Sequence, residues 1–148
     1  MRETSRLMEQ AAASILVIDD DRAVLSTVKL LLERAAHTVE AVDNSRAGLR
    51  LLDTHRFDLL IVDIFMPGMD GFETMRLVHR SWPEMPVIVI SGQQFRSAAE
   101  RGPDFLVMAT KLGAVSSLQK PFKPQELLAV VAKSLSDSLT SSEPSRTT

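Results

Sequence analysis

The segment Asp58-Leu59-Leu60-Ile61-Val62-Asp63-Ile64-Phe65-Met66-Pro67-Gly68-Met69-Asp70-Gly71 joins an uninterrupted apolar run to a turn. Leu59–Val62 has no polar face, which is how a strand reads when both sides of its sheet are covered. The run stops at a carboxylate, Asp63, and Pro67-Gly68 then turns the chain. An aspartate closing such a strand stands at the rim of the sheet, where open α/β sheets bind their ligands.

Four further apolar runs flank this one: Ile15–Ile18, Val39–Val42, Val87–Ile90 and Val115–Leu118. The first and third are again continuously apolar, whereas Val115-Ser116-Ser117-Leu118 is half polar. Helical spacing fills the intervals, with Val24, Val28, Leu31 and Ala35, then Ala47 and Leu51, then Phe72, Met75 and Val78. Phe105, Met108 and Leu112, and finally Leu127, Val131 and Leu135, repeat it, and turns are marked at Pro83, Gly102-Pro103 and Pro121. Strand and helix alternating in this way predict a doubly wound, five-stranded parallel sheet with helices on both faces. Right-handed crossovers favour the flavodoxin-like strand order 2-1-3-4-5.

The 148 residues suffice for one α/β core. With 45% hydrophobic and 24% charged residues, the composition is that of a globular protein. A formal net charge of −2 offers no general basic field for nucleic acid, and no apolar run approaches the roughly 20 residues of a membrane span. Without cysteine, disulfides and thiolate metal sites are excluded, which fits a reducing cytoplasm. Residues 1–13 read as a leader, flexible or loosely docked, and 14–135 as the folded domain. The Ser/Thr-rich stretch 136–148 buries too little to offset its ordering entropy and reads as a flexible tail.

In strand order 2-1-3-4-5 the reversal lies between the first and third strands. The first ends in Asp19-Asp20-Asp21 and the third in Asp63, so two neighbours deliver several carboxylates to one crevice. Two such charges at 4 Å repel by about 4 kcal/mol at an effective dielectric of 20, so the pocket holds either a proton or a cation. Hard divalent ions suit oxygen donors, and Mg²⁺ recruits one or two carboxylates plus a phosphate. Asp21, before Ala23-Val24, is also placed to cap the next helix. The fourth strand adds Ser91-Gly92 and the fifth leads to Lys120-Pro121-Phe122. A hydroxyl, an ammonium and a metal converging on a carboxylate form a site for a phosphoryl group.

Taken together and in order, Ile15-Leu16-Val17-Ile18-Asp19-Asp20-Asp21, Asp58–Gly71, Val87–Gly92 and Gly113-Ala114 leading to Lys120-Pro121-Phe122 resemble the receiver domain of bacterial two-component response regulators. The resemblance runs from about Ser14 to Leu135. It implies that Asp63 accepts a phosphoryl group from a histidine kinase or histidine phosphotransfer protein. It further implies Mg²⁺ (or Mn²⁺) held by Asp19, Asp20, Asp63 and the Phe65 backbone carbonyl, with Ser91 and Lys120 on the phosphoryl oxygens and a cis Lys120–Pro121 peptide. The expected protein is a cytoplasmic, stand-alone receiver that is not a turnover enzyme beyond its own phosphorylation and dephosphorylation. Its output is binding to a downstream protein, with no nucleic acid or membrane partner. The alternative is an interaction module on the same fold that works without phosphorylation.

Three departures from the family pattern stand out. Ser117 occupies the position, three before the lysine, where an aromatic ring is common. The stretch from Ser91 to Gly113 is long, with residues 93–103 reading as an extended loop. Phe65 and Gln93 lie two residues beyond Asp63 and Ser91, where they would govern access of water. Met66 and Met69 lie beside the acceptor, on a candidate kinase contact. His37, His55 and His79 lack ligand spacing and read as solvated, and Trp82 reads as packing at the corner before Pro83.

Overall fold

The computed structural model describes residues 12–64, 71–91, 110–111 and 113–142. Its strands are β1 (Ser14–Ile18), β2 (Thr38–Val42), β3 (Leu59–Asp63), β4 (Val87–Ser91) and β5 (Ala114–Gln119). Its helices, among the described residues, are α1 (Arg22–Arg34), α2 (Ser45–Thr54), α3 (Gly71–Ser81) and α4 (Pro124–Ser142). All strand pairs are parallel and the order is β2-β1-β3-β4-β5, as the alternation predicts. The 93–103 loop and the helix expected from Phe105, Met108 and Leu112 lie outside the described residues.

Strand periodicity sorts the core into two layers. Ile15, Val17, Leu59, Ile61, Ile88, Ile90 and Leu118 face Leu25, Val28 and Leu32 of α1 and Leu127 and Val131 of α4. Leu16, Ile18, Leu60, Val62, Val87 and Val89 face the other way, onto Leu52 of α2 and Met75 and Val78 of α3. The runs that read as continuously apolar are those buried on both faces. The half-polar β5 is an edge strand with Leu118 as its one buried residue. At the opposite edge, Thr38 and Val42 turn backbone groups toward β1, and Lys29 Nζ donates to the outward carbonyl of Val39 at 3.1 Å. A lysine so placed blunts edge-to-edge pairing. Trp82 packs on the second layer at the corner after α3, as expected.

Local chemistry sets the helix ends. Asp21 caps α1, accepting from Ala23 and Val24, and Asn44 caps α2, accepting from Ala47 at 2.8 Å. Lys123 N–H donates to Glu126 Oε1 at 2.7 Å, one half of a capping box, with Pro124 in the first helical position. α1 ends in a Schellman turn: Ala36 N–H donates to Glu33 and His37 N–H to Leu32, with Ala36 at φ 77°.

One expectation needs correction. The helix α4 runs to Ser142, seven residues beyond the boundary placed after Leu135. The four-residue spacing Leu127, Val131, Leu135 continues to Leu139 in the sequence, and the first proline after Pro124 is Pro144, so nothing breaks the helix earlier. At the other end, Ala13, the last residue of the stretch read as a flexible or loosely docked leader, is buried and its carbonyl accepts from Thr38; residues 1–11 lie outside the described ones.

Candidate functional site at the strand ends

The register brings the sequence candidates to one rim. Ile18 pairs with Val62, so Asp19 and Asp63, each the next residue, stand side by side. Asp63 pairs with Ile90, which sets Ser91 at the end of β4 on the same rim. Lys120 follows β5, and its N–H donates to the Ser91 carbonyl at 2.8 Å. The Lys120–Pro121 peptide is cis. Phe65, with Met66 and Met69, lies outside the described residues, as does Gln93.

Asp19 is wholly buried and Asp63 is 3% exposed, whereas Asp20 is open to solvent. Carboxylate oxygens of the three lie within 4.8 Å of one another. Lys120 Nζ stands 2.8 Å from Asp19 Oδ2, 3.1 Å from Asp19 Oδ1 and 3.3 Å from Asp63 Oδ2. The ammonium is thus nearer to the metal candidate than to the acceptor candidate, which the sequence did not anticipate. Burial pushes the Asp19 carboxyl above its ordinary range, and the charge of Asp63 adds to that, against the pull of Lys120 and the Asp21 N–H. Burial alone would lower Lys120, but its hydrogen bond and charge contact with Asp19, then those with Asp63, outweigh it and raise the group.

The donor set suits a hard divalent cation. Asp19 Oδ2 is buried and receives no hydrogen bond of good geometry, although the ammonium nitrogen lies close to it. A buried carboxylate beside a second one and an exposed third supplies the all-oxygen donor set that such a cation takes. Asp21 is not part of the set, because its carboxylate is committed to α1.

Three features escaped the sequence. Asp58 Oδ2 accepts from Ser14 N–H at 2.8 Å, tying β1 to the turn before β3. His37 is not solvated: its ring Nδ1 accepts from Ala13 N–H at 3.1 Å and it is partly buried, with burial lowering its pKa. Thr74 Oγ1 donates to Ser45 Oγ at 2.6 Å, both residues being buried. All three join residues far apart in the chain, and isolated polar side chains leave no periodic signal.

The model of the response regulator receiver domain matches residues 15–132. The response regulator protein FleR of Pseudomonas aeruginosa is 35% identical over 132 residues, covering 89% of this chain and 26% of FleR. The response regulator MprA of Mycolicibacterium vanbaalenii is 35% identical over 115 residues, covering 78% of this chain and 47% of MprA. The chain therefore spans between a quarter and a half of these relatives. Among solved structures, a CheY-like receiver domain protein from Methanospirillum hungatei superposes with TM-score 0.78 at 28% identity, covering 88% of this chain and 98% of that one. NtrX from Brucella abortus superposes with TM-score 0.82 at 27% identity, over 93% of this chain and 30% of NtrX. The sheet order, the acidic rim and these matches agree, and the chain belongs to the response regulator receiver domain family.

Proposed function

We propose that Asp63 accepts a phosphoryl group from a phosphohistidine on a histidine kinase or phosphotransfer protein. The observation that carries this is the near-buried Asp63 carboxylate, with Lys120 Nζ at 3.3 Å and Asp19 and Asp20 oxygens within 4.8 Å. An Asp63 oxygen attacks phosphorus in line, the P–N bond breaks, and the histidine nitrogen leaves with the electron pair. Such a transfer needs a fixed nucleophile and neutralised oxygens and little else from the protein. Asp19, Asp20, Asp63 and the Phe65 carbonyl would hold Mg²⁺ (or Mn²⁺), which supplies charge neutralisation at the phosphoryl oxygens. Ser91 donates to one of those oxygens and Lys120 pairs with another. Lys120 is poised for this, since it needs only to exchange a carboxylate oxygen for a phosphoryl oxygen.

The same reading assigns the chain a signalling role in the cytoplasm, with output through binding to a downstream protein and no turnover of an external substrate. Incubation with Mg²⁺ and a small acyl phosphate is the test. An added phosphoryl mass that Asp63→Asn abolishes supports the proposal. No modification, by that donor or by a cognate kinase, favours a module that works without phosphorylation.

A further inference from the structure

Strand pairing places the backbone of Asp19 but not the plane of its carboxylate, because the terminal torsion of an aspartate is broad and roughly two-fold. Among the described residues, two donors meet that carboxylate. Lys120 Nζ stands 3.1 Å from Oδ1 and 2.8 Å from Oδ2, and the Asp21 N–H donates to Oδ1 at 2.8 Å. A cation would act differently on the two. The ammonium repels an incoming divalent ion, competes with it for the same oxygens and is shared with Asp63 at 3.3 Å. A backbone N–H is neutral and stays where the chain puts it.

The Asp21 side chain decides where that N–H points. Asp21 stands outside the helix, extended at φ −89° and ψ 107°, as the last residue of the link between β1 and α1. Its Oδ1 accepts from Ala23 N–H at 3.0 Å and Val24 N–H at 3.3 Å, and its carbonyl accepts from Leu25 N–H at 3.0 Å. α1 is in turn seated in the core by Leu25, Val28 and Leu32. One residue therefore holds the first turn of α1 with its side chain and Asp19 with its N–H. We infer that Asp21 is a positioning residue for the cation site. By capping α1 it aims its N–H at Asp19 Oδ1 and keeps the Asp19 carboxylate turned to Asp20 and Asp63. The inference rests on the reading of Asp19, Asp20 and Asp63 as cation ligands, their oxygens lying within 4.8 Å of one another. Asp21 acts through Asp19, and loss of such a partner behind a ligand weakens metal affinity about 10- to 100-fold.

The test titrates Mn²⁺ into the unphosphorylated full-length protein and reads the free ion by electron paramagnetic resonance, alongside urea unfolding. Binding that survives in Asp19→Asn/Asp20→Asn is adventitious and is subtracted. Asp21→Asn keeps a capping oxygen without the charge, and its dissociation constant stays within about threefold of the parent's. Asp21→Gly serves a helix start almost as well but has no side chain to hold its own backbone. Its urea midpoint stays close to the parent's while its Mn²⁺ dissociation constant rises about tenfold. Asp21→Ala shows the same loss of affinity with a lowered midpoint, and it decides the matter should Asp21→Gly fail to fold. Parent-like Mn²⁺ binding by the glycine and alanine variants would overturn the inference and leave Asp21 a helix cap alone. An equal loss in Asp21→Asn and Asp21→Gly would overturn it too, since the charge of Asp21 and not its aim would then matter. Absence of specific Mn²⁺ binding by the parent removes the cation-site reading, and the inference with it.

Discussion

Removing the ammonium from the acidic rim gives the most direct test of its electrostatics. In Lys120→Met the stem is kept and the charge lost. At an effective dielectric of 20, the contacts at 2.8 and 3.3 Å are attractions of about 6 and 5 kcal/mol before desolvation. Asp19 and Asp63 at no more than 4.8 Å repel by at least about 3.5 kcal/mol. The net loss is smaller than the gross attraction, because the ammonium also regains its hydration cost. Deleting one partner of a buried pair typically costs about 3–5 kcal/mol, and about 3 is expected here. Part of the strain is relieved by protonation. Asp19 already sits above its ordinary range through burial, and the variant raises it further. A folded carboxyl pKa above the unfolded one contributes stability below pH 3.8, which is lost as pH rises through the folded value. The defect should therefore grow between acid and neutral pH. Urea unfolding followed by circular dichroism, in EDTA and then in rising Mg²⁺, reads both effects. Mg²⁺ should stabilise the variant more than the parent, since no ammonium contests the same oxygens; a cation at a hundred times its dissociation constant adds about 2.7 kcal/mol. A loss under about 1 kcal/mol in EDTA, with an unchanged Mg²⁺ response, would refute the claim that these side chains form one charged unit.

Three further outcomes follow from local geometry. Ala36→Gly should stabilise by about 1 kcal/mol, because the left-handed conformation costs an L-residue about 1–2 and glycine's extra chain entropy offsets only part; a lowered urea midpoint would contradict it. Gly48→Ala should destabilise despite alanine's helix preference of about 1 kcal/mol, since the added Cβ would collide with Ile18 Cδ1 and come within 2.9 Å of its Cγ1 in a wholly buried place; a raised melting temperature would refute that. His37 accepts the Ala13 N–H as a neutral ring, and burial lowers its pKa. Its contribution is full above the unfolded value of 6.5 and is lost as pH falls through the folded one, so parent and His37→Gln should diverge in urea midpoint from pH 7.5 down to pH 5. Parallel profiles would exclude the effect.

Legibility followed periodicity. β1, β3 and β4 were readable because strands buried on both faces leave unbroken apolar runs, and the carboxylates at their ends could then be placed by topology alone. β5 was the faintest signal for a physical reason: as an edge strand it needs few buried side chains, and Ser117 there is exposed, opposite Val89. The end of α4 was misplaced because a serine-rich composition outweighed the continuing spacing of its leucines. The contacts that went unseen were single polar side chains, such as Ser45 with Thr74 and His37 with Ala13, whose partners are set by the fold and not by any local pattern. That Asp19, Asp20, Asp63 and Lys120 share one rim was legible, but the closer approach of Lys120 to Asp19 than to Asp63 was not, because it depends on fractions of an ångström there.

The charges at that rim have few ways to relax. The apolar runs Ile15–Ile18 of β1 and Leu59–Val62 of β3 are wholly buried, so the strands cannot part to separate Asp19 from Asp63 without exposing both core layers. Their ends are tied in addition to the neighbouring strands, Asp19 to Val42, Ile64 to Ile90 and Lys120 to Ser91. Repulsion held by so stiff a frame can be lowered only by a proton, by the ammonium, or by an added cation. The short Lys120 contacts supply the second, and burial with the charge of Asp63 shifts the Asp19 carboxyl in the direction of the first. The Asp19, Asp20 and Asp63 oxygens, within 4.8 Å of one another, are where the third would act. A phosphoryl group on Asp63 would change this balance by adding negative oxygens beside a lysine already in reach, so a change at one side chain would be felt at the ends of β1, β3, β4 and β5 together.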